Sequence, residues 1–177
     1  GTLQDWLEDF YRESSQDQKS KEWYDPQHHR PPKQLLRAAT MMAKGLEDTH
    51  LFTDNGLPTF AHADIKSSQF LVTTTPDDPN HPILKLNDFN RGRFLSAKDD
   101  KICPFYIYSH HRGSTNRSPE EYEDRGPQTD KIDVFSLGST FYELLVGEAP
   151  FAYIDDYKKA IKKITDGVAP PLPASMK

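Results

Sequence analysis

A loop in the first half of the chain carries side chains that could do chemistry. Residues 62–69 read His-Ala-Asp-Ile-Lys-Ser-Ser-Gln, which places a carboxylate, an amine and an amide close together at Asp64, Lys66 and Gln69. A second carboxylate, Asp88, lies further along the chain. Such groups can take up a proton, carry positive charge or offer oxygen ligands to a hard cation. Each of these residue types is also common on surface loops without any chemical role. The neighbouring motifs are therefore needed to distinguish a functional site from an ordinary loop.

Four short motifs resemble, in order, the signature motifs of the eukaryotic protein kinase-like superfamily. They correspond to the catalytic loop, the Asp-Phe-Gly magnesium motif, the Ala-Pro-Glu motif and the Asp-x-Trp-Ser-x-Gly start of the central helix. In this chain they are His62-Ala63-Asp64, Asp88-Phe89-Asn90, Ser118-Pro119-Glu120 and Asp133-Val134-Phe135-Ser136-Leu137-Gly138. A single motif of this kind recurs by chance, but four in the family's order with compatible separations indicate the family.

The resemblance implies a function, which is ATP-dependent phosphoryl transfer to protein Ser or Thr with Mg²⁺ as cofactor. Asp64 would orient the substrate hydroxyl, and Lys66 would place positive charge near the transferred phosphoryl group. Asp88 would hold the magnesium ion, and Gln69 occupies the place of the second metal-binding Asn. Leu71 matches the apolar floor beneath adenine. The lysine also resembles the Ser/Thr class, because tyrosine kinases usually carry Ala-Ala-Arg or Arg-Ala-Ala in this loop.

Other motif residues are predicted to serve the architecture rather than the chemistry. By the same resemblance, His62 and Phe89 would pack in the interior. Glu120 would be an ion-pair residue, and Asp133 would accept hydrogen bonds from backbone amides of the catalytic loop.

Three positions depart from the family pattern. Ala63 replaces the arginine that reads a phosphorylated activation segment, so activation through that arginine is not expected. Gln69 replaces Asn and is longer by one methylene, which predicts weaker or altered magnesium binding. Asn90 replaces Gly, a milder change because Asn tolerates left-handed backbone angles. These departures leave a pseudokinase that acts as a scaffold or allosteric module as an alternative to an active kinase.

The pattern of apolar residues predicts the elements that would position these groups. Apolar residues at helical spacing predict helices over 3–10, 33–51, 130–146 and 154–164. The predicted apolar face of the first long helix is formed by Leu35, Leu36, Ala39, Met42, Ala43 and Leu46. That of the second, wide enough to be central to the core, is formed by Val134, Leu137, Phe141, Leu144 and Leu145. β-rich runs over 69–74 and 83–86 predict a hairpin with an elongated loop, and residues 91–117 read as a long, largely extended segment. A further helix start is indicated by Ser118 as N-cap, Pro119 at the first helical position and Glu121 three residues after the cap.

The predicted fold is α+β, as the mainly helical C-terminal lobe of a protein kinase-like domain with a small β-hairpin. The whole of 1–177 is assigned to this partial domain, with a loop insertion over 12–33 and an activation segment over 88–120. The N-terminal lobe, with its glycine-rich loop and its lysine strand, is predicted to be absent. The chain alone is therefore expected to bind Mg²⁺-ATP poorly and to be inactive, and a truncated gene product without function is a further alternative.

Composition narrows the classes of partner. The formal net charge of −5, without a continuous basic run, argues against nucleic acid. No apolar run is long enough for a membrane segment, and the single cysteine, Cys103, favours a cytoplasmic or nuclear location. The histidine pairs at 28–29 and 110–111 suggest metal binding as an alternative. The sequence has no pairs of ligand residues at zinc-finger spacing, which disfavours this alternative. The expected partners are a protein substrate or protein partner and the missing N-terminal lobe.

Overall fold

The computed structural model describes residues 1–8, 31–51, 56–75, 78–107, 114–122 and 126–172. The predicted insertion over 12–33 lies outside them except for its last three residues, and both histidine pairs lie outside them altogether. The helices are α1 (residues 3–8), α2 (Pro32–His50), α3 (Pro119–Tyr122), α4 (Lys131–Val146) and α5 (Tyr157–Thr165). None of these helices, in the part of the chain described, is both long and apolar enough to cross a membrane.

Helix α2 begins at a proline, whose missing N–H costs nothing in a first helical turn. Its buried residues recur at every fourth position: Ala38, Met42, Leu46 and His50. The helix is confirmed, but its buried face differs from the predicted one at Leu36, whose side chain is 69% exposed. Residues two positions apart lie on nearly opposite sides of an α-helix, so burial at 38 leaves 36 facing solvent.

The predicted hairpin forms from β2 (Phe70–Thr75) and β3 (Asp78–Leu86), paired antiparallel with Phe70 opposite Leu86. The elongated loop predicted over 76–82 is wrong, because β3 already begins at Asp78. Prolines at 79 and 82 suggested a loop, yet a two-stranded sheet leaves one edge of each strand unpaired, where a proline is tolerated.

Two smaller sheets lie around the segment that follows the hairpin. Strand β1 (Phe60–Ala61) pairs with β4 (Arg93–Phe94), and β5 (Ala97–Lys98) pairs with β6 (Lys101–Ile102). The segment over 91–117, predicted to be extended, thus contains short two-residue strands in its described part. The β1–β4 pair brings the start of the predicted catalytic loop beside the residues that follow Asp88.

Helix α4 is confirmed at both predicted ends. It stops at Gly147, whose φ of 89° is the left-handed conformation that favours glycine at this position. Its apolar residues do not all enter the core: Leu137 and Leu144 are buried, but Val134 and Leu145 are exposed. The prediction that all of them belong to the core stripe is therefore wrong for these two.

The main hydrophobic core lies between α1, α2, the hairpin and α4. Its buried members are Leu3, Leu7, Ala38, Met42, Leu46, Ile65, Phe70, Leu84, Leu137 and Leu144. Two of them, Ile65 and Phe70, belong to or directly follow the predicted catalytic loop. Burial of these side chains anchors the loop to the core and leaves its polar residues to be arranged by hydrogen bonds.

Candidate active site

The predicted catalytic loop, residues 62–69 and called the catalytic loop from here on, is held at its start by one buried carboxylate from α4. The two oxygens of Asp133 accept hydrogen bonds from the backbone N–H groups of His62 and Ala63, each at 2.7 Å. The same carboxylate lies 2.9 Å from Nε2 of His50. Ala63 has a φ of 61°, a conformation unfavourable for alanine, so these contacts stabilise a strained turn. The predicted role of Asp133 is confirmed.

Two residues predicted to pack differ in how far they are buried. His62 is fully buried, and its Nε2 lies 2.9 Å from the backbone oxygen of Asn87. Its ring meets the ring of Phe89 edge-on, with centroids 5.0 Å apart. Phe89 also contacts Phe60 but remains 48% exposed. The histidine is thus an interior residue in this structure, and the phenylalanine is only partly covered.

Asp64 lies at the centre of the site and has a cationic or amide partner on each oxygen. Its Oδ2 accepts from Nε2 of Gln69 at 2.8 Å and lies 3.0 Å from Nζ of Lys66. Its Oδ1 is 2.7 Å from Nη2 of Arg117. Burial raises the pKa of the Asp64 carboxyl, but the hydrogen bonds from Lys66 and Gln69, with the charges of Lys66 and Arg117, outweigh it. The pKa therefore lies below its ordinary value, and the group is held ionised.

Gln69 connects the two carboxylates of the site. Its Nε2 also donates to Oδ2 of Asp88 at 3.3 Å, so one amide nitrogen lies between Asp64 and Asp88. Asp88 is half-buried and adopts a left-handed φ of 63° at the turn after β3. An amide that donates through Nε2 has its Oε1 available for a cation.

The oxygen atoms of Asp88 and Gln69 are of the chemical type that binds a magnesium ion. Asp88 and Gln69 offer a carboxylate and an amide oxygen, which are ligands that Mg²⁺ accepts together with water and phosphate oxygens. In the described part of the chain, no group of three or more His, Cys, Asp or Glu side chains is placed to hold a metal alone.

Leu71 lies on β2, two residues after Gln69 in the sequence. Its side chain is partly exposed, and its backbone forms a β-bridge with Thr2. An exposed apolar side chain on a strand could contact a planar ring.

Two polar residues near Asp64 were not predicted. Arg117 precedes α3 and binds Asp64, while its Nη1 lies 2.9 Å from Oε1 of Glu121. Glu121 is buried, and its Oε2 accepts from the backbone N–H of Ser118 at 3.0 Å. The expected ion-pair residue, Glu120, is instead exposed. The capping pattern indicated Glu121, because the glutamate three residues after the cap folds back onto the cap.

Glu121 is expected to contribute to the stability of the fold, whereas its exposed neighbour Glu120 is not. Glu121→Gln should lower the free energy of unfolding by about 1–3 kcal/mol, because it weakens a buried ion pair and the hydrogen bonds to Ser118. Urea denaturation of both variants checks this. The matched Glu120→Gln change, at an exposed neighbour, should stay within about 0.5 kcal/mol of the parent sequence. Equal effects of the two changes would contradict the assignment.

A partly buried carboxylate on α4, that of Glu143, connects the catalytic loop to the segment before α3. Glu143 of α4 accepts from Oγ of Ser67 at 2.8 Å and from Nδ2 of Asn116 at 3.4 Å. Burial raises the pKa of the Glu143 carboxyl, although these hydrogen bonds act in the opposite direction. A polar residue on a largely apolar helix was the one available signal for this contact.

The geometry agrees with comparisons to known proteins. The protein kinase domain family matches residues 9–172. The chain is 29% identical to mitogen-activated protein kinase kinase kinase 13 of Mus musculus over 124 residues, which cover 70% of this chain and 11% of that protein. It is 33% identical to serine/threonine-protein kinase Nek3 of Mus musculus over 113 residues, 64% of this chain and 20% of that protein.

The chain thus corresponds to between a tenth and a fifth of the length of these relatives. The family match extends over most of the chain and includes all four motifs, and the fold brings the carboxylates of two of them, Asp64 and Asp88, together around Gln69. On these grounds, the chain belongs to the protein kinase domain family.

Proposed function

We propose that the chain supplies the catalytic-loop side of a protein kinase that transfers phosphate from ATP to Ser or Thr of a protein. One observation carries the proposal: a single amide nitrogen, on Gln69, lies within hydrogen-bond distance of both Asp64 and Asp88. Asp64 and Asp88 are thus close enough to share one hydrogen-bond donor, and Lys66 forms an ion pair with Asp64. This arrangement suits a reaction in which a substrate hydroxyl attacks a charged phosphate.

In the proposed reaction, the substrate hydroxyl oxygen forms a bond to the γ-phosphorus of ATP. The bond from that phosphorus to the β–γ bridging oxygen breaks, and ADP leaves. Asp64 orients the hydroxyl and receives its proton, since its lowered pKa keeps it ionised. Lys66 offsets negative charge on the transferred group. Most of the expected catalysis is positioning and charge stabilisation.

Asp88 and Gln69 are the residues that we propose hold Mg²⁺. When bound, the ion would neutralise negative charge on the nucleotide phosphates. Leu71 would contact the adenine ring. Within the same proposal, the chain corresponds to the mainly helical lobe, 88–120 is the activation segment, and a separate N-terminal lobe covers the nucleotide. The proposed location is the cytoplasm or the nucleus.

The length of Gln69 provides a test of the metal site. Gln69→Asn should increase magnesium affinity or the transfer rate of the full-length protein by about a few-fold, because the shorter side chain returns the amide oxygen to the family's ligand position. The dependence of the initial rate on free Mg²⁺ concentration measures this. Gln34→Asn, at an exposed position on α2, is the matched control and should change neither quantity. An unchanged or lower magnesium affinity in Gln69→Asn, with no gain in transfer rate, would argue against a metal ligand at this position.

A second candidate function is a pseudokinase that binds a protein partner without transferring phosphate. The observation that favours it is that the motifs depart from the family pattern at three positions, Ala63, Gln69 and Asn90. A transfer assay on the full-length protein with ATP and Mg²⁺ separates the two functions. Measurable phosphorylation of a protein substrate supports the kinase, and its absence under saturating ATP supports the pseudokinase.

A further inference from the structure

Arg117 is a largely buried cation with three contacts among the residues that the structure describes near the catalytic loop. Only 12% of its side chain is exposed. Its Nη2 lies 2.7 Å from Oδ1 of Asp64, and its Nη1 lies 2.9 Å from Oε1 of Glu121. The same Nη1 donates to the backbone oxygen of Ala63 at 3.4 Å. One guanidinium group therefore joins the catalytic loop to helix α3.

The two carboxylates keep this buried arginine charged. Burial lowers the pKa of the Arg117 guanidinium, but the charges and hydrogen bonds of Glu121 and Asp64 outweigh it, so the pKa lies above its ordinary value. Glu121 is fixed in turn by the backbone N–H and the hydroxyl of Ser118. The planar fork of a guanidinium can hold two carboxylates in set directions, which a lysine ammonium does less well.

Ala63 is, through its backbone, a further contact of the arginines near the catalytic loop. Its methyl group cannot provide a charge, and its backbone is strained at a φ of 61°. The Ala63 carbonyl instead accepts from Nε of Arg91 at 3.2 Å and from Arg117. Arg91 and Arg117, which follow the catalytic loop in sequence, thus bind the backbone of Ala63, the position at which the family motif has an arginine.

We propose that Arg117 is a positioning residue, which holds the Asp64 carboxylate in its orientation and ties the segment before α3 to the catalytic loop. This inference rests on the proposed kinase function, because its consequence for rate runs through Asp64. With Oδ1 bound by Arg117 and Oδ2 bound by Lys66 and Gln69, rotation of the carboxylate is restricted. The two charged partners of Arg117, Asp64 and Glu121, are carboxylates of this chain, so the contact needs no phosphate on the segment before α3.

Arg117→Gln in the full-length protein tests the inference. We expect kcat to fall about 10- to 100-fold while the KM for ATP changes little, because the loss is in the orientation of Asp64. Arg117→Lys, which keeps the charge without the fork, should recover part of kcat. Arg37→Gln, on the exposed side of α2, is the control for removing an arginine and should leave kcat unchanged.

A second readout does not depend on phosphate transfer. A double-mutant cycle of Arg117→Gln and Asp64→Ala, followed by urea denaturation, measures the interaction between the two side chains. We expect the two losses of stability to be less than additive, because each change removes the same ion pair, whereas the exposed Arg37→Gln should be additive with Asp64→Ala.

The outcomes separate this inference from the proposed function. If the full-length protein transfers no phosphate, the kinase proposal fails, and the double-mutant cycle alone decides on Arg117. Additive losses of stability in Arg117→Gln and Asp64→Ala would overturn the positioning role, as would unchanged or increased kcat in an active protein. If Arg117→Gln does not fold, Arg117→Lys carries the test: reduced kcat at an unchanged KM for ATP supports the role, and wild-type kcat overturns it.

Discussion

Replacing Asp64 with Asn is expected to reduce phosphoryl transfer by the full-length protein about 10²- to 10⁴-fold, with ATP affinity nearly unchanged. Asparagine keeps the size of the side chain and an oxygen that can accept from Arg117 or Gln69, so the fold should persist. It cannot take up the hydroxyl proton. Steady-state kinetics with ATP and a protein substrate, together with nucleotide binding by calorimetry, measure the two effects separately.

Asp88→Asn is the comparison variant for this prediction. It should weaken binding of the magnesium–nucleotide complex as well as the rate, because Asp88 is proposed to act on the metal rather than on the hydroxyl. If transfer continued at full rate in Asp64→Asn, the catalytic assignment would be wrong. If the original protein transferred no phosphate, neither change would affect the rate, and the pseudokinase alternative would stand.

The largest effect on stability is expected at Asp133. Asp133→Asn should lower the free energy of unfolding by about 3–5 kcal/mol, because charge-assisted hydrogen bonds to buried groups are worth roughly 1.5–3 kcal/mol each. Asparagine would direct an N–H₂ group at a backbone N–H of His62 or Ala63, where both groups are donors. Urea denaturation followed by circular dichroism measures the change.

Asp155→Asn provides the matched control, since Asp155 is exposed on the loop before α5. Its effect on stability should remain within about 0.5 kcal/mol. A loss below about 1 kcal/mol in Asp133→Asn would show that the turn at Ala63 does not depend on this carboxylate. Because the strained turn sets the direction of the catalytic loop, we also expect the destabilised variant to transfer phosphate more slowly in the full-length protein.

Much of the fold could be predicted from local patterns. Helix α4 ends where glycine permits a left-handed residue, and α3 begins where serine, proline and glutamate form a capping pattern. Both signals act over a few residues, so the sequence contains them in full. The β-hairpin was also predicted, although its second strand begins earlier than expected because prolines are tolerated at an unpaired edge.

The predicted buried faces of the long helices were less accurate. Leu36 and Val134 fit an apolar stripe, yet both are exposed. Periodicity identifies a helix, but the partner that packs against it selects which side chains are covered. Hydrophobic residues on a protein surface are common, so an apolar side chain alone does not establish burial.

For the site, the order and spacing of the four motifs determined the family and the candidate residues Asp64, Lys66, Gln69 and Asp88. The motifs did not predict the hydrogen bonds and ion pairs between residues that are distant in sequence. Arg117 reaches Asp64 across 53 positions, and Glu143 reaches Ser67 across 76. Hydrogen bonds and ion pairs form over about 3 Å between atoms whose separation along the chain carries no local pattern. Such contacts arise only when the core has brought α4, the catalytic loop and the segment before α3 together.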